Sequence, residues 1–175
     1  MQGLFVSKMA ASLLKNAPQV AAKPLAVIPF TIKQLALTQL TQTLLKEALE
    51  QRCLDFMQGK WVAIEITDVQ LKFELSYQNG RLIVRPPQCP DVTFSARSDE
   101  LLLIAAGKED PDSLFFRRQL WIEGDTELGL QVKNLLSSLD PEKLSPIIRF
   151  GLGYSAQLLL WLQQQAATTP SLSTP

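Results

Sequence analysis

The segment WVAIEITDVQLKFELSYQNGRLIVR, residues 61–85, decides the fold. Val62, Ile64 and Ile66 alternate with polar or small residues. Val69, Leu71, Phe73, Leu75 and Tyr77 then alternate with Gln70, Lys72, Glu74 and Ser76. A period of two places every second side chain on one face, so these runs read as two strands with one buried face each. Asn79 and Gly80 are the residue types that accept the two positive φ values of a type I′ turn, and they lead into a third strand, Arg81–Arg85. Pro86, Pro87 and Pro90 stop that strand, because proline donates nothing to a ladder. Val92, Phe94 and Ala96 repeat the alternation in a fourth.

Helical patterns flank this sheet. Upstream, Thr31 is the expected N-cap of a helix running to about Cys53, with Ile32, Leu35, Ala36, Leu40, Leu44, Ala48 and Leu49 on its apolar side. Downstream, Ser98 is expected to cap a helix with Leu101, Leu102, Ile104 and Ala105 on its face, ending near Gly107. A helical turn around residues 112–117 and a fifth strand over residues 119–123 come next. Asp125 or Thr126 then caps a helix carrying Leu128, Val132, Leu135 and Leu136. Runs of strands separated from runs of helices give an α+β domain: a five-stranded, mainly antiparallel sheet covered by helices. The regular alternation and Gly-rich first turn of a doubly wound nucleotide fold are missing.

The termini read as extensions. Leu4, Phe5, Met9, Leu13 and Leu14, interspersed with Lys8 and Lys15, suggest a short amphipathic helix within residues 1–30. Residues 31–140 form the domain, residues 141–165 a C-terminal amphipathic helix, and residues 166–175 a disordered tail. The apolar stretch over residues 146–162 contains Arg149 and two glycines, so it reads as an amphipathic or core helix rather than a membrane span.

Composition excludes several functions. The 17 basic residues balance the 17 acidic ones, which argues against a nucleic-acid partner. Residues 1–60 hold seven Lys and Arg against three Asp and Glu, so that end suits an anionic surface. With no histidine, the commonest general base and the commonest transition-metal ligand are both missing. Cys53 and Cys89 lack metal or redox spacing and read as free thiols in a reducing compartment. Glu123, Asp125 and Glu127 invite an acid–base reading, but a carboxylate at a helix start more often caps orphan N–H groups. GLGYS, residues 151–155, lacks the spacing of a nucleophile elbow, and KEDPD, residues 108–112, lacks that of a calcium loop. The chain is expected in the cytoplasm.

The stretch DPDSLFFRRQLWIEGDTELGLQVKNLL, residues 110–136, resembles the signature region of the sterol carrier protein type two family. An aromatic-containing turn, a short strand ending in Gly124-Asp125 and a helix with small and apolar residues follow in that order. The resemblance extends back through VTFSARSDELLLIAAGKEDP and covers residues 35–140 or so. PLAVIPFTIK, GKWVAIEITDVQL and NGRLIV further resemble a branch of that family, the bacterial accessory factors of oxygen-independent ubiquinone biosynthesis.

The resemblance implies an α+β domain enclosing an apolar lipid tunnel, with no catalytic residue, metal or cofactor. It implies isoprenoid quinone intermediates or phospholipid as ligands, the UbiU and UbiV hydroxylase pair as partners, and transient contact with a membrane surface. The alternative is a scaffold that assembles those hydroxylases without holding lipid. Expected lining residues on the strands are Ile64, Leu71, Phe73, Phe94 and Ile122. On the helical pieces they are Leu102, Phe115, Phe116, Leu128 and Leu135, with Phe150 and Trp161 added if the last helix is a lid. Ordinary core packing is the competing role for each, and whether these side chains leave a void or fill it separates carrier from scaffold.

Overall fold

The computed structural model describes residues 28–139. The expectations for the N-terminal amphipathic segment, the C-terminal helix with Phe150 and Trp161, and the terminal tail lie outside the described residues. Helix α1 spans Phe30–Leu44 and α2 Lys46–Glu50, followed by a 3₁₀ turn at Asp55–Met57. Strands β1 Val62–Ile66, β2 Leu71–Gln78, β3 Arg81–Arg85 and β4 Val92–Ala96 come next. Helices α3 Ser98–Ala105 and α4 Pro111–Phe116, strand β5 Trp121–Gly124 and helix α5 Thr126–Ser137 complete the order.

The β2–β3 hairpin forms where the sequence placed it, with φ of 50° at Asn79 and 79° at Gly80. The sheet order is β3-β2-β1-β4-β5. It is mixed rather than wholly antiparallel: β1 and β4 run parallel, and the other three pairings are antiparallel. Local periodicity reports which face a side chain takes, whereas strand order depends on how the chain crosses the sheet, so the parallel pair had no local signal.

One face of the sheet carries Val62, Phe73, Leu75, Tyr77, Leu82, Val84, Val92 and Phe94, all in the buried core with Leu54, Leu114, Leu128 and Val132 from the helical side. The other face is polar but not everywhere wet. Glu74, alternating with Phe73 and Leu75, has no solvent exposure, nor has Ala63 opposite it in register. The segment from β3 to β4, residues 86–91, must pass β2 and β1 to reach its place. Its Gln88 N–H donates to Glu74 Oε1 at 2.6 Å, while Arg85 Nε donates to Oε2 at 2.7 Å. The Arg85 guanidinium also lies 3.4 Å from the centre of the Trp61 ring. Asp91 finishes the crossing: its N–H donates to the Trp61 carbonyl at 2.8 Å and its carboxylate accepts the Trp61 N–H at 2.7 Å.

The helices depart from the sequence reading in several places. Helix α1 begins one residue before Thr31, with Pro29 at the N-cap, and the expected single helix to Cys53 breaks at Leu45. The buried side of α1 and α2 is Leu37, Thr41, Leu45 and Ala48, whereas Ile32, Leu35 and Leu40 are exposed. Both sides of this helix are apolar, and its orientation is set by packing on β3, where Gln34 Nε2 donates to the Val84 carbonyl at 2.7 Å. Ser98 is the first residue of α3 and not its cap. Asp68, from the β1–β2 turn, accepts both the Ser98 N–H at 2.9 Å and its hydroxyl at 2.6 Å. The inner side of α3 is then Leu103 and Ile104, with Leu101 and Leu102 half-buried.

Truncating Glu74 to Ala strands the Arg85 guanidinium and the Gln88 N–H beneath the crossing segment. Urea denaturation of Glu74→Ala is expected to show a loss of about 3 kcal/mol, the magnitude typical of breaking one partner of a buried ion pair.

Candidate functional site

Strand register brings four of the expected lining residues into one row. Phe73 pairs with Ile64, Ile64 with Phe94, and Phe94 with Ile122, so the row crosses β2, β1, β4 and β5 on the helix-covered face. Leu71 sits one pleat away, opposite Ile66. Phe73, Phe94, Leu128 and Leu135 are buried members of the core, and Ile64, Leu71 and Ile122 pack half-buried against it. Leu102 is half-buried on α3. Helix α4 turns differently from expectation: Leu114 points inward at 2% exposure, while Phe115 and Phe116 are 42% and 80% exposed. This six-residue helix turns Pro111 and Leu114 inward, which leaves Phe115 and Phe116 on its outer side.

Three concavities lined by described residues border this core. A groove of about 590 Å³ lies between α1–α2 and the C-terminal end of α5, with Leu44, Ala48, Leu135 and Leu139 as apolar walls and Lys46, Glu47, Glu50 and Gln51 at its polar rim. A second, of about 350 Å³, shares Leu139 and lies against Ile104, Pro111 and Leu136. The third, of about 230 Å³, stands at the β5 end of the aromatic row, lined by Phe115, Ile122, Gly129, Leu130 and Lys133. Ligand pockets usually span roughly 300–1,000 Å³, so the groove is of ligand size and the β5 pocket would hold only part of a long molecule. Of the expected residues, Leu135 lines the groove and Phe115 and Ile122 line the β5 pocket.

Sequence reasoning missed the groove walls Leu44 and Leu139 and the β5 pocket residues Gly129, Leu130 and Lys133 as contributors. A glycine inside a helical pattern is a signal of close approach, and Gly129 bears it out: a Cβ there would meet Ile122 Cγ2 at 3.0 Å. Gly124 is a stricter case, with φ of 114° and the Asp91 carbonyl oxygen 2.3 Å from where a Cβ would stand.

Several polar groups around the site are committed to structure. Asp125 is the N-cap of α5, accepting the Leu128 N–H at 3.0 Å and pairing with Lys60 at 3.3 Å. Those two contacts, the backbone bond first, hold its carboxyl below the ordinary range. Burial pushes Glu100 up, offset partly by the Arg97 N–H it accepts at 2.8 Å. Lys133 pairs with Asp112, and Lys72 with Glu65 at 3.0 Å. Cys53 and Cys89 are exposed, free thiols. No cluster of metal-ligating side chains occurs among the described residues, and none of their helices is long and apolar enough to cross a membrane.

The described residues form an open five-stranded mixed sheet with helices packed over one apolar face and a ligand-sized groove beside α5, an α+β arrangement. The sequence matches the SCP-2 sterol transfer family over residues 37–137, and the chain belongs to that family. The Ubiquinone biosynthesis accessory factor UbiT of Escherichia coli (strain K12) is 39% identical over 144 residues, 82% of this chain and 83% of that protein. The protein of the same name from Escherichia coli O157:H7 matches equally. A solved structure described as UbiJ-SCP2 Ubiquinone synthesis protein shares the fold, with a TM-score of 0.51 and 17% identity over 62% of this chain and 96% of its own.

The Asp125 cap has a defined pH signature. A carboxylate whose folded pKa is depressed stabilises the fold above its unfolded value and loses that contribution as pH falls through the folded one. Thermal melts of Asp125→Asn should therefore lie below those of the parent at neutral pH, and the two should converge below about pH 4.

Proposed function

We propose that this chain is a non-catalytic accessory factor of ubiquinone biosynthesis that binds a prenylated quinone intermediate or related lipid and presents it to the biosynthetic enzymes. The observation that carries the reading is the likeness to UbiT, which runs over 82% of the chain and so takes in the whole sheet and its helices. Membership of the SCP-2 sterol transfer family supports a lipid as the ligand. The enzymes served are the UbiU and UbiV hydroxylase pair of the oxygen-independent route, and the exchange of lipid takes place at the inner-membrane surface.

The physical requirement is plain. Each CH2 of an isoprenoid tail removed from water is worth about 0.8 kcal/mol, so an apolar enclosure with few polar contacts suffices for affinity. Leu44, Ala48, Leu135 and Leu139 offer such walls in the groove, and its charged rim suits a polar head. Reaction chemistry has little to work with in the described residues, since Asp68, Glu74 and Asp125 are held by Ser98, Arg85 and the α5 N-terminus.

A second reading, a scaffold that gathers the hydroxylases without carrying lipid, is favoured by one observation. Phe94, Leu54, Leu114 and Leu120 are almost wholly buried and fill the centre between sheet and helices. Native mass spectrometry and solvent extraction of protein purified from anaerobically grown cells separate the two. A prenylated species at near-stoichiometric occupancy is the expected result. Empty protein that still captures the hydroxylases would establish the scaffold instead.

A further inference from the structure

Among the described residues, the large apolar side chains left in solvent are not scattered evenly. Phe115, Phe116, Trp121 and Leu130 all belong to the end of the molecule formed by α4, β5 and the first half of α5. Phe115 and Phe116 hold each other edge to face, with ring centres 5.9 Å apart and planes at 71°. The pair therefore forms a fixed ridge and not two independent side chains. Behind it, Phe115 and Leu130 line the mouth of the β5 pocket.

The next two residues are basic, and the turn presents them. The carbonyl of Leu114 accepts both the Gln119 N–H at 2.9 Å and the Leu120 N–H at 3.2 Å, which folds the chain back tightly after α4. Arg118 takes φ of 58° to make that turn. Arg117 pairs with Glu109 at 2.7 Å, whereas Arg118 is exposed and has no side-chain partner among the described residues.

We infer that this Phe-Phe-Arg-Arg tip, residues 115–118, docks the protein onto an anionic lipid bilayer, with the two rings entering the interfacial layer and Arg118 engaging lipid phosphates. Aromatic rings favour the headgroup level of a bilayer, and each basic residue near an anionic surface adds attraction. Arginine suits a phosphate better than lysine because its planar fork can bond two oxygens at once. Glu123 and Glu127, exposed on β5 and the first turn of α5, oppose deeper approach of those elements and confine contact to the tip. Docking there brings the mouth of the β5 pocket, and with it the end of the aromatic row at Ile122, against the membrane. The inference rests on the proposed work at a membrane surface but not on which molecule is carried.

Co-sedimentation of the full chain with vesicles, one set of phosphatidylcholine alone and one with about a third phosphatidylglycerol, tests it at low salt. The intact protein should sediment with the anionic set. Phe116→Ser should bind about tenfold more weakly, and Phe116→Leu, which keeps apolar area, within about twofold of the parent. Arg118→Glu should weaken binding to anionic vesicles about fivefold or more and leave the neutral set unchanged. Ile83→Ser, on the sheet edge at β3, serves as a control that should bind as the parent does. Equal binding by Phe116→Ser or by Arg118→Glu, or no sedimentation of the parent, overturns the inference. So does a ridge whose loss abolishes capture of a protein partner while vesicle binding persists. Lipid content, read separately by mass spectrometry on each variant, distinguishes loss of docking from loss of carriage.

Discussion

The buried carboxylate of Glu74 is the interaction on which the architecture turns. A sheet ordered β3-β2-β1-β4-β5 requires the chain to leave one edge, pass two strands and enter beside β1 in the parallel sense. That passage is only six residues long and contains three prolines, so it forms no ladder of its own. Glu74 supplies what the passage lacks, accepting one bond from the strand that ends and one from the segment that departs. Burying a charge is costly unless it is paired and hydrogen-bonded, and here both oxygens are engaged. With the crossing held, Asp91 aligns the starts of β1 and β4 and, through its carbonyl, receives the Asp125 N–H at the end of β5.

From that alignment follows the arrangement of the site. Register sets Phe73, Ile64, Phe94 and Ile122 in one line, and the close seat of Gly129 on Ile122 brings α5 down onto its end. Helix α5 then divides the apolar surroundings into a groove on the α1–α2 side and a smaller pocket on the β5 side. The groove is the larger of these two and carries Lys46, Glu47 and Glu50 at its rim, whereas Asp125 and Lys133 border the β5 pocket.

The sheet was legible because alternation and turn chemistry act locally: Asn79 and Gly80 had to take positive φ, and Val62, Ile64 and Ile66 had to share a face. Asp125 was legible as a cap for the same reason. Ala48 is buried as expected, but the face of α1 was not legible, since Ile32, Leu35 and Leu40 form as good an apolar stripe as Leu37, Thr41 and Leu45, and only packing on β3 chooses between them. Phe115 and Phe116 were expected with the enclosed residues because large aromatics usually bury. The brevity of α4 and the inward turn of Leu114 decided otherwise, and neither shows in a period. The resemblance to a lipid-carrier family was visible in residues 110–136 as order and spacing, yet the places where space remains depend on helix ends that pattern alone does not locate.

The two margins of the sheet have a further consequence. An open β edge offers unpaired backbone groups to any neighbouring molecule, and a protein that also exposes aromatic rings is at particular risk of polymerising through it. Strand β3 carries arginine at both ends, and β5 is four residues long and closes on a glycine whose φ of 114° is far from extended geometry. Neither margin is a good template for another strand. The molecule can therefore expose the rings of Phe115 and Phe116 without setting a free, regular β edge beside them.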